Sequence, residues 1–489
     1  MSDALEKRIK KHIIGKPHRF LAVSPLGFEQ TLSRELEFIL GESATEQPHA
    51  TRDGKVEFTS KLTEAWKVVA VSRIANRVLM EVANFKAENF RELEKKASEI
   101  PWELFLTTNH QPLTTIHVTC KHSRLYHSDA IAERLYKIIE EGVSVPLTPA
   151  DTASATPSAG TPRNAPSQNE NRSIQQNLYV NFLDDRCTIW LDLAGEELYK
   201  RGFERFVNDA PLKETIASAM IFEAFYTASL TTNHQPLTTL IDPMSGSGTF
   251  SLEAACIANK IIPGTCRDFA LKHQPAFKEA TWNFLIRQET RDDKCVGRVS
   301  RPCLHEHDRV QHLGLERSDN PKTNSETAAI TKIITSDISE RAVNIIKHNI
   351  ECSPLAQIAP NENTPTITPQ LRDFFSYTAK EIADACGDSS PILVLNPPYG
   401  KRLDFDAPKL YTQIGKKLTE LARDLHHFGK TLTVAILAPK DDTRNGSKYT
   451  CTANLLRECP ALSPERTQTA KVIQTSHGGF SLNAFFATI

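Results

Sequence analysis

Hydrophobic and polar positions alternate over short runs in the first part of the chain. The run GKVEFTS at 54–60 alternates every second residue, which predicts a strand with one buried face. Residues 19–40 begin as an apolar strand, turn at Pro25-Leu26-Gly27, and continue with apolar residues at helical spacing. Further strand-like runs lie at 78–85, 115–120, 178–183 and 187–193, and helix-like runs at 62–70, 90–100 and 128–142. This alternation predicts small α+β units.

The pattern becomes a regular strand–helix–strand succession from about Pro211 onwards. Strand-like runs occur at 239–243, 331–337, 366–371, 391–396 and 431–437, separated by helix-like runs at 211–226, 250–262, 340–351, 378–386 and 408–426. Such a succession predicts a doubly wound, Rossmann-like α/β sheet. Two late segments, 470–474 and 482–489, are expected to form an antiparallel pair on its edge.

Two polar stretches interrupt these patterns. The stretch at about 146–176 is rich in Pro, Ser, Thr, Ala and Asn, and the stretch at about 287–329 is also polar. Segments without large apolar side chains do not build a core, so we interpret both as insertions. The chain thus divides into an α+β region, residues 1–207, and an α/β domain, residues 208–489. The segment LTTNHQPLTT occurs twice, at 106–115 and 230–239, and its pattern indicates no function.

Composition and charge narrow the class of protein. The chain has 489 residues, 40% of them hydrophobic, and a formal net charge of -1. No apolar run approaches the ~20 residues of a membrane span, and the start lacks the apolar segment of a signal peptide. Ten cysteines without CxxC pairs favour reduced thiols in a cytoplasmic protein. The first twenty residues carry a basic excess, for which a solvated tail is the favoured interpretation.

A glycine-containing turn joins strand and helix in LIDPMSGSGTFSLEAA, at 240–255. Gly246 and Gly248 allow a ligand to approach the backbone, and the following helix offers free N–H groups at its start. The dinucleotide-binding pattern GxGxxG is incomplete, because Ser251 stands at the position of its third glycine. The turn alone is weak evidence for a nucleotide site.

Acidic residues end three successive strands of this domain: Asp242, Asp337 and Asp373. Each alone is more simply a helix cap. Together, beside the glycine turn, they predict a nucleoside ligand at the carboxyl ends of the strands. Asp337 would accept the ribose hydroxyls, and Asp373 could accept from an adenine amino group.

The next strand, PILVLN, stops at Asn396-Pro397-Pro398-Tyr399. Asn396 offers a side-chain carbonyl and Pro397 a main-chain carbonyl, so the pair could accept both hydrogens of a planar –NH2 group. Tyr399 offers a flat face on which an extruded base can stack. These residues predict methyl transfer to an amino group conjugated with an aromatic ring, although Asn-Pro-Pro also suits a simple turn.

These motifs resemble those of the S-adenosylmethionine-dependent Asn-Pro-Pro-Tyr methyltransferases, and in particular the THUMP-domain bacterial 23S rRNA guanine-N2 methyltransferases. DPMSGSGTF, LRDFF, LNPPYGKRL, the KRGF of 200–203 and the front half of the chain carry the resemblance. It implies a ferredoxin-like plus THUMP region that grips structured RNA, followed by a class I methyltransferase domain. The residues implied to bind S-adenosylmethionine are Asp242, Pro243, Ser245, Gly246, Ser247, Gly248, Asp337 and Asp373, and Asn396 to Tyr399 would hold the guanine amino group.

The resemblance leaves several alternatives open. Ser245 stands where the family commonly has Cys, and the chain ends soon after one catalytic domain, so one activity is expected. The substrate could instead be tRNA guanine or, less favoured, a DNA base or a protein, and a non-catalytic RNA-binding assembly factor is a further alternative.

Lys401 and Arg402 are candidate RNA-phosphate contacts. Cys303, His305, His307 and His312 lack tight paired spacing, so we expect no metal.

Overall fold

The computed structural model describes residues 3–51, 53–106, 114–143, 176–207, 211–230, 239–291, 330, 332–358, 365–399, 406–441 and 450–489. Both copies of LTTNHQPLTT, both polar insertions and the Cys303–His312 segment lie mostly or wholly outside these residues. The helices are α1 (Asp3–Ile9), α2 (Glu29–Leu40), α3 (Leu62–Val71), α4 (Phe90–Ser98), α5 (Ser128–Val143), α6 (Glu214–Ser229), α7 (Thr249–Ala258), α8 (Glu279–Arg291), α9 (Glu340–Cys352), α10 (Ala379–Cys386), α11 (Ala407–His426) and α12 (Cys451–Glu458). None of them combines the length and apolar character that a bilayer crossing requires.

The first half of the chain forms a mixed sheet. Its strands are β1 (Pro17–Val23), β2 (Glu46–Ala50), β3 (Lys55–Lys61), β4 (Arg77–Lys86), β5 (Thr114–Lys121), β6 (Gln176–Leu183) and β7 (Arg186–Asp192). Within the described residues their order is β2-β3-β1-β4-β7-β6-β5. β5 runs parallel to β6, and every other pair of neighbouring strands in that order is antiparallel. The predicted α+β region is confirmed.

Apolar and polar residues alternate along the strands of this sheet, so one of its faces is apolar and packs against helices. Phe20 and Phe58, on β1 and β3, stack with ring centroids 5.2 Å apart beneath them. The N-terminal segment joins this core: after α1, a further helical turn continues to Ile14, and Ile9 and Ile13 are buried. The interpretation of these residues as a solvated tail was wrong, because their apolar side chains pack against the sheet region.

The second half forms the expected doubly wound sheet. Its strands are β8 (Thr239–Asp242), β9 (Lys332–Asp337), β10 (Pro369–Leu371), β11 (Pro391–Leu395), β12 (Thr433–Pro439), β13 (Lys471–His477) and β14 (Phe480–Thr488). Among the described residues the order is β10-β9-β8-β11-β12-β14-β13. The first five of these are parallel, and β14 pairs antiparallel with both β12 and β13. The Rossmann-like doubly wound sheet and the late antiparallel pair are therefore confirmed.

A buried ionic cluster joins the two sheets. Glu253 of α7 accepts from Arg201 at 3.0 and 3.1 Å and from Ser218 at 2.6 Å, and lies 3.4 Å from Arg73. Arg73 follows α3, and its main-chain oxygen accepts a further bond from Arg201 at 2.9 Å. Burial alone would raise the pKa of Glu253, but Arg201 and Arg73 outweigh it and hold that pKa below its ordinary value. The cluster fixes α7 against the N-terminal region.

A second buried carboxylate, on α6, also connects the two halves of the chain. Glu223 accepts from Thr31 at 2.7 Å, from Arg34 at 2.5 Å and from Lys471 at 2.7 Å. These partners come from α2 and β13, so helix α6 is held by elements of both sheets. The two regions share one continuous hydrophobic core.

Replacing Glu253 by Ala should lower the free energy of unfolding by about 3–5 kcal/mol, because two buried guanidinium groups lose their shared counter-charge. Glu196→Ala is the matched control, since Glu196 forms an exposed ion pair with Lys200 and should cost under about 0.5 kcal/mol. Urea denaturation of both variants measures the difference. Equal losses in the two variants would contradict a joining role for the cluster.

Candidate functional site

Four strand ends meet at one edge of the second sheet. Because β10, β9, β8 and β11 are parallel neighbours, their carboxyl ends lie side by side. Asp242 is the last residue of β8 and Asp337 the last of β9, while Asn396 directly follows β11. Asp373 lies two residues beyond β10. The structure thus brings the four polar residues predicted from the sequence to the same edge.

The glycine turn between β8 and α7 depends on left-handed backbone at two positions. Gly246 has φ +56°, and a Cβ atom added there would meet nothing within 4 Å. Gly248 has φ +79°, and its Cβ would lie 3.0 Å from two carbons of Ile346 on α9. Gly248 is therefore required for packing against α9, whereas Gly246 borders open space that a ligand can enter.

Side chains of the turn hold it onto β9. The Ser245 hydroxyl lies 2.6 Å from the main-chain oxygen of Asp242 and 2.8 Å from that of Ser336. The Gly246 N–H donates to Asp337 Oδ2 at 2.9 Å, and the Ser339 N–H donates to Asp337 Oδ1 at 2.9 Å. Two oxygens of a carboxylate offer about four acceptor positions, so Asp337 keeps acceptor capacity beyond these two bonds.

Asp242 points into the protein rather than towards the edge. It is fully buried, and its Oδ2 accepts from the Ser251 hydroxyl at 2.8 Å and from the Ser251 N–H at 3.3 Å. Burial raises the pKa of the Asp242 carboxyl to about 7, and the nearby Asp337 charge also raises it. Ser251, which breaks the glycine pattern, is thus the partner that positions Asp242 beneath the turn.

The neighbouring strand ends carry one capping residue and one exposed apolar residue. Asp373 Oδ1 accepts from the Phe375 N–H at 3.0 Å and so caps a short turn that contains the buried Phe374. Ile338 directly follows Asp337 and is 71% exposed. Sequence reasoning missed Ile338, although an apolar residue immediately after an acidic strand end was visible in TSDIS.

A segment that the sequence did not predict closes one side of the glycine turn. Asn349 of α9 is buried, and its amide donates to the main-chain oxygens of Phe206 at 2.9 Å and Ser247 at 3.0 Å. Arg205 donates to Thr249 Oγ1 at 3.0 Å and pairs with Glu214. Burial lowers the pKa of the Arg205 guanidinium to about 10. Nothing in the local sequence signals these contacts, which join positions far apart along the chain.

The Asn-Pro-Pro-Tyr tip forms the opposite side of the edge. Pro397 is buried, Pro398 is exposed, and Asn396 and Tyr399 are half-buried. The side-chain oxygen of Asn396 is shielded from solvent and accepts no hydrogen bond from the described part of the chain. Most buried polar atoms have a partner, and an unpaired one costs about 1–3 kcal/mol. This amide oxygen is therefore available to a donor from a ligand.

A second aromatic ring stands next to Tyr399. Phe480 begins β14, and its ring centroid lies 5.9 Å from that of Tyr399 at an interplanar angle of 74°. Gly478 and Gly479, at φ +58° and +82°, form the tight turn that presents Phe480. His477, just before the turn, lies 2.8 Å from the main-chain oxygen of Pro211. The sequence HGGF between two predicted strands could have indicated this hairpin tip.

The structure describes some of the remaining predicted residues and not others. Pro243 and Ser247 lie in the glycine turn and are buried. Lys401 and Arg402 lie outside the described residues. Across the described ranges, no group of three or more His, Cys, Asp or Glu side chains is placed to hold a metal ion.

Two family descriptions match the chain. Residues 201–435 match the RMKL-like methyltransferase domain, and residues 19–79 match the RlmL ferredoxin-like domain. The crystal structure of SMU.472, a putative methyltransferase complexed with SAH, superposes with a TM-score of 0.63 at 20% identity, covering 96% of this chain and 98% of that one. This likeness supports the fold.

Curated relatives are similar to this chain over most of its length. The ribosomal RNA large subunit methyltransferase K/L of Syntrophotalea carbinolica is 27% identical over 417 residues, which cover 82% of this chain and 47% of that protein. The putative RNA methyltransferase YpsC of Bacillus subtilis is 25% identical over 409 residues, covering 83% of this chain and 86% of that protein. The chain spans about half the length of the K/L relatives it matches. It carries an RlmL-type ferredoxin-like domain at residues 19–79 and an RMKL-like methyltransferase domain at residues 201–435.

Proposed function

We propose that this protein transfers a methyl group from S-adenosylmethionine to the N2 amino group of a guanine in RNA, with 23S rRNA as the favoured substrate. The solvent-shielded amide oxygen of Asn396 carries the proposal, because it accepts no hydrogen bond from the described residues, can accept one from an amino group, and stands at the ligand edge of the sheet. The names of the curated relatives support RNA as the substrate class.

The residues around the glycine turn fit the cofactor. Gly246 leaves open space beside the backbone, and Asp337 retains acceptor capacity for ribose hydroxyls. The exposed Ile338 offers an apolar surface to a purine ring, and Asp373 lies at the next strand end. Pro243, Ser245, Ser247 and Gly248 would contribute through the backbone of the turn they form. S-adenosylmethionine, when bound, supplies a methyl group activated on a sulfonium centre.

The Asn-Pro-Pro-Tyr residues would orient the amino group. Asn396 and the main-chain oxygen of Pro397 would accept its two hydrogens, which directs the nitrogen lone pair out of the ring plane. As positive charge develops on the nitrogen, these oxygens stabilise it until a proton leaves to water. Tyr399 would stack on the base, and Phe480 would contact its edge, as the 74° angle between the two rings suggests.

The Asn396→Ala variant should lose nearly all methyl transfer, since one of the two acceptors disappears, while its affinity for S-adenosylhomocysteine should stay within about twofold of wild type. Methyl incorporation into rRNA and tRNA isolated from a strain lacking the gene measures transfer and separates the two RNA substrates. Calorimetry measures binding of S-adenosylhomocysteine. Undiminished transfer by Asn396→Ala would refute the assigned role.

The Gly246→Ala variant tests the cofactor position against a matched control. Gly387 has φ +58° and, like Gly246, open space at its Cβ position. Both substitutions should cost the unliganded protein about 1 kcal/mol, because each forces Ala into left-handed backbone. Only Gly246→Ala should weaken S-adenosylhomocysteine binding, by at least about tenfold, since its methyl group occupies the approach to the turn. Equal affinities in both variants would remove the turn from the cofactor site.

A further inference from the structure

Asp242 is the one buried carboxylate of the described chain that lacks both a cationic partner and donors on each of its oxygens. Its side chain is 0% exposed, and within the described residues its hydrogen bonds come from Ser251 alone, both to Oδ2. The other oxygen, Oδ1, is shielded from solvent and accepts no hydrogen bond from those residues. A buried carboxylate in this state carries an uncompensated charge whenever it is ionised.

The other buried carboxylates of the described ranges show what the fold normally supplies. Glu35 receives the Arg73 N–H on one oxygen at 2.8 Å and the Ser72 hydroxyl on the other at 2.6 Å. The remaining ones each form an ion pair with Lys or Arg: Asp192 with Arg77, Glu214 with Arg205, Glu223 with Lys471, Glu253 with Arg201 and Glu289 with Lys67. The described chain therefore provides a positive charge at these sites and none at Asp242.

The groups that face Asp242 do not neutralise it. On β9, Asp337 adds a second negative charge, and Tyr377 is neutral because burial holds its pKa above the ordinary value. On α7 the neutral Ser251 faces the carboxyl, and the one charged side chain of that helix, Glu253, is held in the ionic cluster. Burial raises the pKa of Asp242 to about 7, so this carboxyl exchanges its proton near neutral pH.

Strand order places Asp242 between the two ends of the proposed methyl-transfer site. β8 runs between β9 and β11, so its last residue lies between Asp337, to which the ribose is assigned, and Asn396, to which the amino group is assigned. In S-adenosylmethionine the sulfonium links the ribose to the methyl group that is transferred. A donor that extends from Asp337 towards Asn396 therefore carries its sulfonium charge across the end of β8, where the buried carboxylate lies.

We infer that Asp242 is the counter-charge of the sulfonium and makes the site select S-adenosylmethionine over S-adenosylhomocysteine. The inference rests on the proposed function, which supplies the methyl donor. Transfer breaks the S–CH3 bond, leaves its electron pair on sulfur and forms the N–CH3 bond, and the nitrogen releases a proton to water. The sulfur is then neutral, so its attraction to Asp242 ends and the product is held less tightly than the donor.

The Asp242→Asn variant tests this assignment, because an amide keeps the shape of the side chain and removes its charge. At pH 8 the affinity for S-adenosylmethionine should fall about tenfold, whereas the affinity for S-adenosylhomocysteine should change by less than about twofold. A general distortion of the glycine turn would weaken both ligands alike, so the ratio of the two affinities is the quantity to compare. Calorimetry measures both affinities, and circular dichroism checks the fold of the variant.

The matched control is Asp373→Asn, which makes the same chemical change at the far end of the same edge, two residues beyond β10. Under the proposed function Asp373 contacts the adenine, which S-adenosylmethionine and S-adenosylhomocysteine share. This variant should therefore keep the wild-type ratio of the two affinities. Sinefungin, in which an ammonium group replaces the sulfonium, should follow S-adenosylmethionine in both variants, because it retains the positive charge without the reactive methyl group.

The wild-type protein provides a test that needs no substitution. Ionised Asp242 attracts the sulfonium and protonated Asp242 does not, so the affinity for S-adenosylmethionine should rise about fivefold to tenfold from about pH 6 to about pH 8 and then level off. At a pH equal to its pKa of about 7, about half of the Asp242 carboxyls carry a proton. Binding of S-adenosylmethionine should then release about half a proton more than binding of S-adenosylhomocysteine, as calorimetry in buffers of different ionisation enthalpy measures. The same series on Asp242→Asn subtracts any titration of the ligands themselves.

The outcomes separate this inference from the proposed function. Asn396→Ala should lose methyl transfer and keep the wild-type ratio of the two affinities, whereas Asp242→Asn should change that ratio. If Asp242→Asn and Asp373→Asn give the same ratio, or if the wild-type protein releases no extra proton with S-adenosylmethionine, the counter-charge assignment is wrong and the methyl-transfer assignment is unaffected. If the ratio changes as expected while Asn396→Ala still transfers methyl groups, the reverse holds. A wild-type protein that binds neither ligand would overturn both.

Discussion

The buried cluster of Glu253, Arg73 and Arg201 is the constraint on which the arrangement of the molecule depends. Its charges lie in the core between the two sheets, where an unpaired ion costs several kcal/mol. The cluster is therefore stable only when all three side chains meet, and they meet in one relative position of α7 and the N-terminal region. Because the glycine turn leads directly into α7, the same ion pairs fix the proposed cofactor site relative to the first sheet.

Buried polar atoms need hydrogen-bond partners, and the side-chain oxygen of Asn396 has none among the described residues. Glu253 and Glu223 each collect several donors, as buried carboxylates must, whereas the Asn396 side-chain oxygen receives none from the described residues. Other buried oxygens, among them those of Gln176 and Asn259, also lack a partner among the described residues, so Asn396 is distinguished by its position at the carboxyl edge of the parallel strands. The carboxylates hold elements together, whereas in the proposed function the amide oxygen of Asn396 accepts a donor from the substrate. The neighbouring rings of Tyr399 and Phe480 would contact the flat base that the proposed function places there.

Sequence patterns predicted those features that depend on local periodicity. Strands such as β11 and β12 are continuous apolar runs because parallel strands are buried on both faces, and polar residues at their ends necessarily share one edge. Strand β2 escaped prediction because EQPHA has neither alternation nor strand propensity and forms only by pairing with β3. Contacts between distant positions were equally invisible: Arg73 and Glu253 are separated by 180 residues, and Tyr399 meets Phe480 only because β14 inserts beside β12. The N-terminal helix was misjudged for the same reason, since its charges are local but the burial of Ile9 is tertiary.

The proposed methylation of a base amino group would make contacts with other parts of the RNA useful. A base must leave its stack before Asn396 and Tyr399 can hold it, and extrusion costs a few kcal/mol that contacts elsewhere on the substrate must supply. Phosphate contacts alone supply affinity for any RNA, paired or unpaired. Stacking on exposed rings instead favours RNA in which bases are already free, and such RNA is also the substrate in which extrusion costs least. The rings of Tyr399 and Phe480 at the Asn-Pro-Pro-Tyr edge would therefore favour unpaired RNA, the same property of the substrate that makes extrusion least costly.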